Sequence, residues 1–179
     1  GVDIREIDKD TLRRAIGQVQ QDVFIFTGDV KGNISLDNEE ITREEIERAA
    51  RIVNADSFIN KMPDGYDEPV TERGSTLSAG QRQLLSFART LAYQPTILVL
   101  DEATANIDTE TESLITQALE KLMEGRTTIM VAHRLSTIQH ADKIIVMHKG
   151  EIRESGSHQE LLQLGGMYKK LYDLQLVEA

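Results

Sequence analysis

Apolar positions recur along the 179 residues with two different spacings, and the switches between them mark out the elements. Thr96-Ile97-Leu98-Val99-Leu100 is a continuous apolar run without alternation, which predicts a strand buried on both faces, as in a parallel sheet. Thr127 to Val131 predicts a second buried strand and Ile16 to Val19 a shorter one. Elsewhere the spacing is helical. Leu84, Leu85, Ala88, Leu91 and Ala92 repeat from Ser78 until Gln94-Pro95 stops the helix. Thr111, Leu114, Ile115, Ala118 and Leu122 form the stripe of another, capped by Asp108 and closed by Gly125. Thr42-Arg43-Glu44-Glu45 is a capping box, and Ile46, Ala49, Ala50 and Val53 behind it predict helix to about Lys61.

The rest is shorter. Ile4 to Ala15 predicts a turn and a short helix capped by Asp10 or Thr11, Gln20 to Gly32 a loop, and Pro63-Asp64-Gly65 a turn. Glu68 to Ser75 shows no periodicity. Lys143 to His148 and Glu151 to Ser155 flank Lys149-Gly150 as a hairpin, followed by helices over Ser157 to Leu164 and Met167 to Leu176. Strand, helix, strand, helix and hairpin in the second half give an α/β core preceded by a mainly helical insert.

Composition narrows the class. A hydrophobic content of 40% with 28% charged residues suits a globular chain, and no run approaches the length of a membrane span. Cysteine is absent, which removes disulfides and thiolate metal sites and agrees with a reducing compartment. The net charge of -10, with no basic stripe, argues against nucleic acid as a partner.

Four places can carry chemistry. Leu77-Ser78-Ala79-Gly80-Gln81-Arg82-Gln83 opens a helix with small residues: unpaired amides, the Ser78 hydroxyl and the slim Ala79 and Gly80 suit an approaching phosphate, whereas an ordinary Ser cap leaves Gly80 and the amide side chains that follow, Gln81 and Gln83, unexplained. Asp101-Glu102 ends a buried strand, where α/β sheets place ligands; one carboxylate can hold Mg²⁺ while the other orients a water, and the competing reading is a dipole-stabilised helix start. His133, in VAHRLST, can donate to developing charge at the end of the next strand, although taken alone a satisfied structural histidine is the better reading. Gln21, in VQQDVFIF, leaves a short strand beside an apolar loop and means little alone. His140, His148 and His158 read as surface residues.

In this order, VQQDVFIF, TERGSTLSAGQRQ, ILVLDEATANID and VAHRLST resemble the nucleotide-binding domain of ABC transporters of the exporter type, across essentially the whole chain. The resemblance implies a partial P-loop NTPase (RecA-like) core, residues 1–31 and 96–179, with an inserted helical subdomain over about 32–95 that carries the signature. It implies ATP and Mg²⁺ as cofactors and an ATPase motor that powers export of drug-like or lipidic substrates. Gln21 resembles the Q-loop glutamine that reaches Mg²⁺, and Ser78, Ala79, Gly80 and Gln81 the signature that meets the γ-phosphate of ATP on a second nucleotide-binding domain. Asp101 resembles the Walker B ligand of Mg²⁺, Glu102 the general base, Ala103 to Asp108 the D-loop, and His133 the switch histidine. Thr71-Glu72-Arg73-Gly74 resembles the X-loop. The implied partners are that second domain, head to tail in a homo- or heterodimer, and transmembrane domains met through the Q-loop and X-loop regions at the cytoplasmic face of the cell membrane.

Three departures from the family pattern stand out. No G-x-x-x-x-G-K-[ST] occurs, and Gly1-Val2-Asp3 resembles the segment that follows that loop, so the expectation is a C-terminal portion of the domain that alone binds ATP poorly. Ala79 stands at a position where the signature usually has glycine, and Ala105 stands where the D-loop usually has serine, as in the subunit of a heterodimeric exporter that keeps its base but contributes an imperfect signature. The alternatives are a soluble ABC ATPase acting on DNA or ribosomes, against which the acidity and TERG count, and a noncatalytic docking fragment with exposed apolar surface.

Overall fold

Three parallel strands organise the larger part of the molecule: β1 (Ile16–Val19), β4 (Ile97–Asp101) and β5 (Thr127–Val131), in the order β1-β4-β5. The computed structural model describes residues 1–20, 22–71, 74–101, 109–131 and 138–178, with the backbone alone at 109–112 and 176–178. Two compact units are present, residues 1–131 and 132–179.

In the first unit, Ile16 pairs with Ile97 and Val19 with Leu100, while Ile97 pairs with Thr127 and Asp101 with Val131. Leu98 and Leu100 on the central strand are fully buried, contributing about 1.5–3 kcal/mol each. Their core is shared by α5 (Ala79–Ala92) and α6 (Thr109–Met123) through Leu84, Leu85, Phe87, Ile115, Leu119 and Leu122. The expected fold class, α/β with a parallel sheet, is the one found. β5 differs from expectation: Ile129 is 59% and Val131 54% exposed, because within this unit only the face carrying Thr128 and Met130 turns toward the helices. Leu114 likewise falls at the exposed edge of its stripe, and Leu119 takes the core position.

Before α5 the chain is mainly helical. α1 (Lys9–Ala15) is capped by Asp8 rather than by Asp10 or Thr11, since the Asp8 carboxylate accepts the amides of both, at 3.1 and 3.0 Å. The expected loop to Gly32 instead holds β2 (Gly28–Asp29) and α2 (Val30–Ser35), whose start Asp29 caps by accepting from the Gly32 amide. The expected single helix to Lys61 is two, α3 (Arg43–Ile52) and α4 (Asp56–Ile59), because Asn54 adopts a left-handed conformation at φ 60°. The capping box of α3 forms as expected, with the Glu45 amide on Thr42 Oγ1 (3.3 Å) and the Thr42 amide on Glu45 Oε2 (2.9 Å). A 3-10 turn, Gly65–Asp67, leads into β3 (Pro69–Val70), which pairs antiparallel with β2. Lys31 and Arg43 both bind Asp67 there and hold its carboxyl below the usual range.

The second unit is the expected hairpin, β6 (Ile144–His148) and β7 (Glu151–Gly156), with α7 (His158–Leu164) and α8 (Met167–Glu178). Lys149 and Gly150 take φ 52° and 78°, the two left-handed residues that a tight hairpin turn requires. Ile144, Val146, Leu161 and Tyr168 form its core. His158 is not a plain surface residue: its Nδ1 lies 2.8 Å from the hydroxyl of buried Tyr168. Among the described residues, no helix is long and apolar enough to cross a membrane.

Gly17 lets α5 lie against β1. A Cβ there would stand 2.7 Å from Pro95 Cγ and 2.8 Å from Thr90 Cγ2, both on rigid side chains. Gly17→Ala therefore lowers stability by about 1–3 kcal/mol through overpacking; a urea midpoint equal to that of the parent would show that this contact yields freely.

Candidate functional site

The shared register ends three strands at one edge of the sheet, with Val19 level with Leu100 and Asp101 level with Val131. This is the carboxyl edge, where parallel sheets present their ligand-binding residues. Asp101 is exposed there, and no cation pairs with it among the described residues. A free carboxylate at that edge suits a hard divalent cation, which it would share with water and phosphate oxygens. Among the described residues, no three His, Cys, Asp or Glu side chains converge into a ready-made metal site. In sequence, Gln21 follows the end of β1 by two residues, Glu102 follows Asp101 directly, and His133 follows the end of β5 by two. These three, with Ala103 to Asp108, lie outside the described residues, as do Glu72 and Arg73 of the TERG segment.

The second element is the N-terminus of α5. Ser78 is its N-cap in a full capping box: the Gln81 amide donates to Ser78 Oγ (3.1 Å) and the Ser78 amide to Gln81 Oε1 (2.9 Å). That explains Gln81 and leaves Ala79 and Gly80. Their amides are the first two of the helix, which have no partner within it, and neither donates to an acceptor among the described residues. The Ser78 hydroxyl accepts from Gln81 but keeps its own proton to donate. Two amides, one hydroxyl and the positive end of a fourteen-residue helix thus converge where Ser78 and Ala79 are exposed.

What precedes the cap is held firmly. Gly74 sits at φ 59°, and a Cβ there would touch Ile25 at 3.2 Å, so the chain passes close over a buried side chain. The Leu77 amide donates to Gly74 O at 2.9 Å, and Arg82 reaches back to Leu77 O at 2.6 Å. Behind it, Gln83 is buried with its Nε2 unpartnered.

The apolar segment after Gln21 is divided by the structure. Ile25 is fully buried, while Phe24 and Phe26 are 55% and 49% exposed and stack edge to face at 4.8 Å. The exposed apolar surface of this segment is therefore formed by the two phenylalanines. Sequence reading missed two residues that fix this loop, Asn33 and Arg89. An arginine inside the apolar run Phe87-Ala88-Arg89-Thr90-Leu91 was the available signal.

Comparison with known proteins decides the family. The family model described as "ABC transporter" matches residues 1–105. The chain belongs to the ABC transporter family. It is 58% identical over 174 residues to exp8 of Streptococcus pneumoniae, named as an ABC transporter ATP-binding protein, spanning 97% of this chain and 30% of that protein. An ATP-dependent lipid A-core flippase of Desulfotalea psychrophila is 47% identical, over 98% of this chain and 31% of its own length. Among solved structures, a bacterial Atm1-family ABC exporter with ATP bound superposes with a TM-score of 0.86 at 40% identity, covering 96% of this chain and 30% of that one. This ABC chain thus spans under a third of the length of the relatives it matches.

The cap can be tested apart from any ligand. Ser78→Ala removes the acceptor for the Gln81 amide and lowers stability by about 1 kcal/mol. Ser78→Asp keeps an acceptor and restores most of it. Equal denaturant midpoints for Ser78→Ala and the parent would show that the box contributes nothing.

Proposed function

We propose that this chain is part of the ATP-hydrolysing motor of an ABC exporter, working in the full-length protein at the cytoplasmic face of a membrane. The observation that carries the reading is the common carboxyl edge of β1, β4 and β5, from which the sequence runs directly into Gln21, Glu102 and His133. A chain built to place one amide, one carboxylate and one imidazole after three neighbouring strands suits in-line attack of water on a terminal phosphate.

Each residue then has a task. Glu102 orients the attacking water and takes its proton. His133 donates a hydrogen bond to the γ-phosphate as negative charge develops there. Asp101 and Gln21 would hold Mg²⁺, which when bound neutralises phosphate charge. Ser78 Oγ and the Ala79 and Gly80 amides bind the γ-phosphate of ATP carried by a second nucleotide-binding domain, head to tail, so that each domain completes the other's site. In that pairing, bound nucleotide joins the two domains and hydrolysis releases them.

Phe24 and Phe26 are the surface offered to transmembrane helices, and the cargo is drug-like or lipidic. Ala79 adds a methyl where phosphate approaches, and Ala105 removes a hydroxyl from the D-loop. Both favour a heterodimeric exporter in which this chain keeps the base and lends its partner a weaker signature.

In the full-length exporter with its partner, Glu102→Gln lowers turnover by about 10²–10⁴-fold while ATP binding and domain closure persist. Turnover retained at parental level, measured by phosphate release, would remove Glu102 from the role of base.

A further inference from the structure

Arg89 lies on α5 among buried neighbours, Phe87, Ala88, Thr90 and Leu91, and makes no ion pair among the described residues. Its Nε donates to Asn33 O at 2.7 Å, one terminal nitrogen to Phe24 O at 3.1 Å, and the other to Asn33 Oδ1 at 3.4 Å. The guanidinium carbon stands 5.5 Å from the centre of the Phe26 ring. Burial pulls its pKa below the ordinary value, which reflects the cost of keeping a cation where only neutral groups solvate it. Apolar packing alone would be served better by leucine. What arginine adds is a rigid fork that engages several acceptors at once.

Those acceptors belong to two segments, and Asn33 joins them. The Phe26 amide donates to Asn33 Oδ1 at 2.8 Å, and Asn33 Nδ2 donates to Phe26 O at 2.9 Å and to Asp29 O at 3.0 Å. The buried Asn33 amide thus pairs with the Phe26 backbone as a neighbouring strand would. Tyr93, at the far end of α5, donates from its hydroxyl to Ser35 O at 2.7 Å and ties α2 to the same helix. Helix α5, helix α2 and the loop from Val23 to Phe26 are therefore joined mainly by side chain to backbone bonds, with no ion pair between them among the described residues.

We propose that Arg89, together with Asn33, is a positioning residue that makes the Phe24–Phe26 loop move as one piece with α5, so that displacement of the helix at Ser78 reaches the exposed phenylalanine pair. This rests on the ATPase reading above, in which Ser78 meets nucleotide at one end and the phenylalanines meet transmembrane helices at the other. Neither Arg89 nor Asn33 touches nucleotide in that reading. They set the stiffness of the connection between two contacts.

The test uses the full-length exporter with its partner, trapped by Mg-ATP and orthovanadate, with hydrogen exchange followed in the peptide covering residues 22–27. In the parent protein, trapping changes exchange in this peptide. Arg89→Lys keeps the charge but not the fork; it is expected to trap nucleotide as the parent does while losing that change. Asn33→Ser, a second variant should the first fold poorly, is expected to lose it too, and the double variant to be no worse than either single. A merely structural Arg89 would raise exchange along all of α5 and reduce trapping in proportion, leaving the loop's response intact in the trapped fraction. Parental trapping with a parental loop response in both single variants would overturn the proposal and leave the ATPase reading standing. Failure of the parent itself to trap vanadate would overturn both.

Discussion

Helix α5 is buried along nearly its whole length and yet leaves its first turn open, and the rest of the first unit packs around it. The helix packs against α2, α3, α6 and β1, and from Gln83 to Ala92 every residue but Arg89 is buried. Burial of that extent fixes the axis, and the axis fixes where Ser78 stands. Gly17 permits the approach to β1, Gly74 brings the preceding chain over Ile25, and the capping box uses Gln81 without consuming the amides of Ala79 and Gly80. Rigidity of this kind is what a donor site requires, since donors already held in place need no reorganisation when negative charge arrives.

Much of this could be read from the residues. The strand from Ile97 was legible because an apolar run of that length, ending in acids and following Pro95, suits little else, and the capping box at Thr42 was legible because its chemistry is local; the box at Ser78, which gives Gln81 its role, was not read as one. Misreadings arose where tertiary context decides. Asn54 splits a helix that periodicity alone would continue, α2 lacks any apolar repeat long enough to notice, and the faces of β5 depend on what lies against the sheet rather than on its own composition. Of the site, Ser78 to Gln81 and Asp101 stand on helix and strand ends as their motifs suggest. Arg89 escaped notice because its partners, Phe24 and Asn33, are distant in sequence, and Asn33 because the bonds of a single side-chain amide to nearby loop backbone leave no periodic pattern.

The molecule separates the groups that would do chemistry from those that would hold them. The carboxyl edge of the sheet is one cluster and the start of α5 another, and in a head-to-tail pair each would complete a site on the other domain. In the proposed pairing, the amides that every helix start leaves free would be used by the other domain. It also gives Ala79 its significance: the methyl is harmless to the fold, because it is exposed in the first turn, and matters only to whatever approaches from outside.

The most direct measurement is ultraviolet cleavage of the full-length, vanadate-trapped exporter, because vanadate held at the γ-phosphate position photo-oxidises the serine beside it and breaks the backbone there. A break in this chain at Ser78, absent without trapping and lost when the partner cannot bind nucleotide, is the result expected. Efficient trapping with cleavage that spares Ser78 would contradict the assignment of the α5 N-terminus to the phosphate.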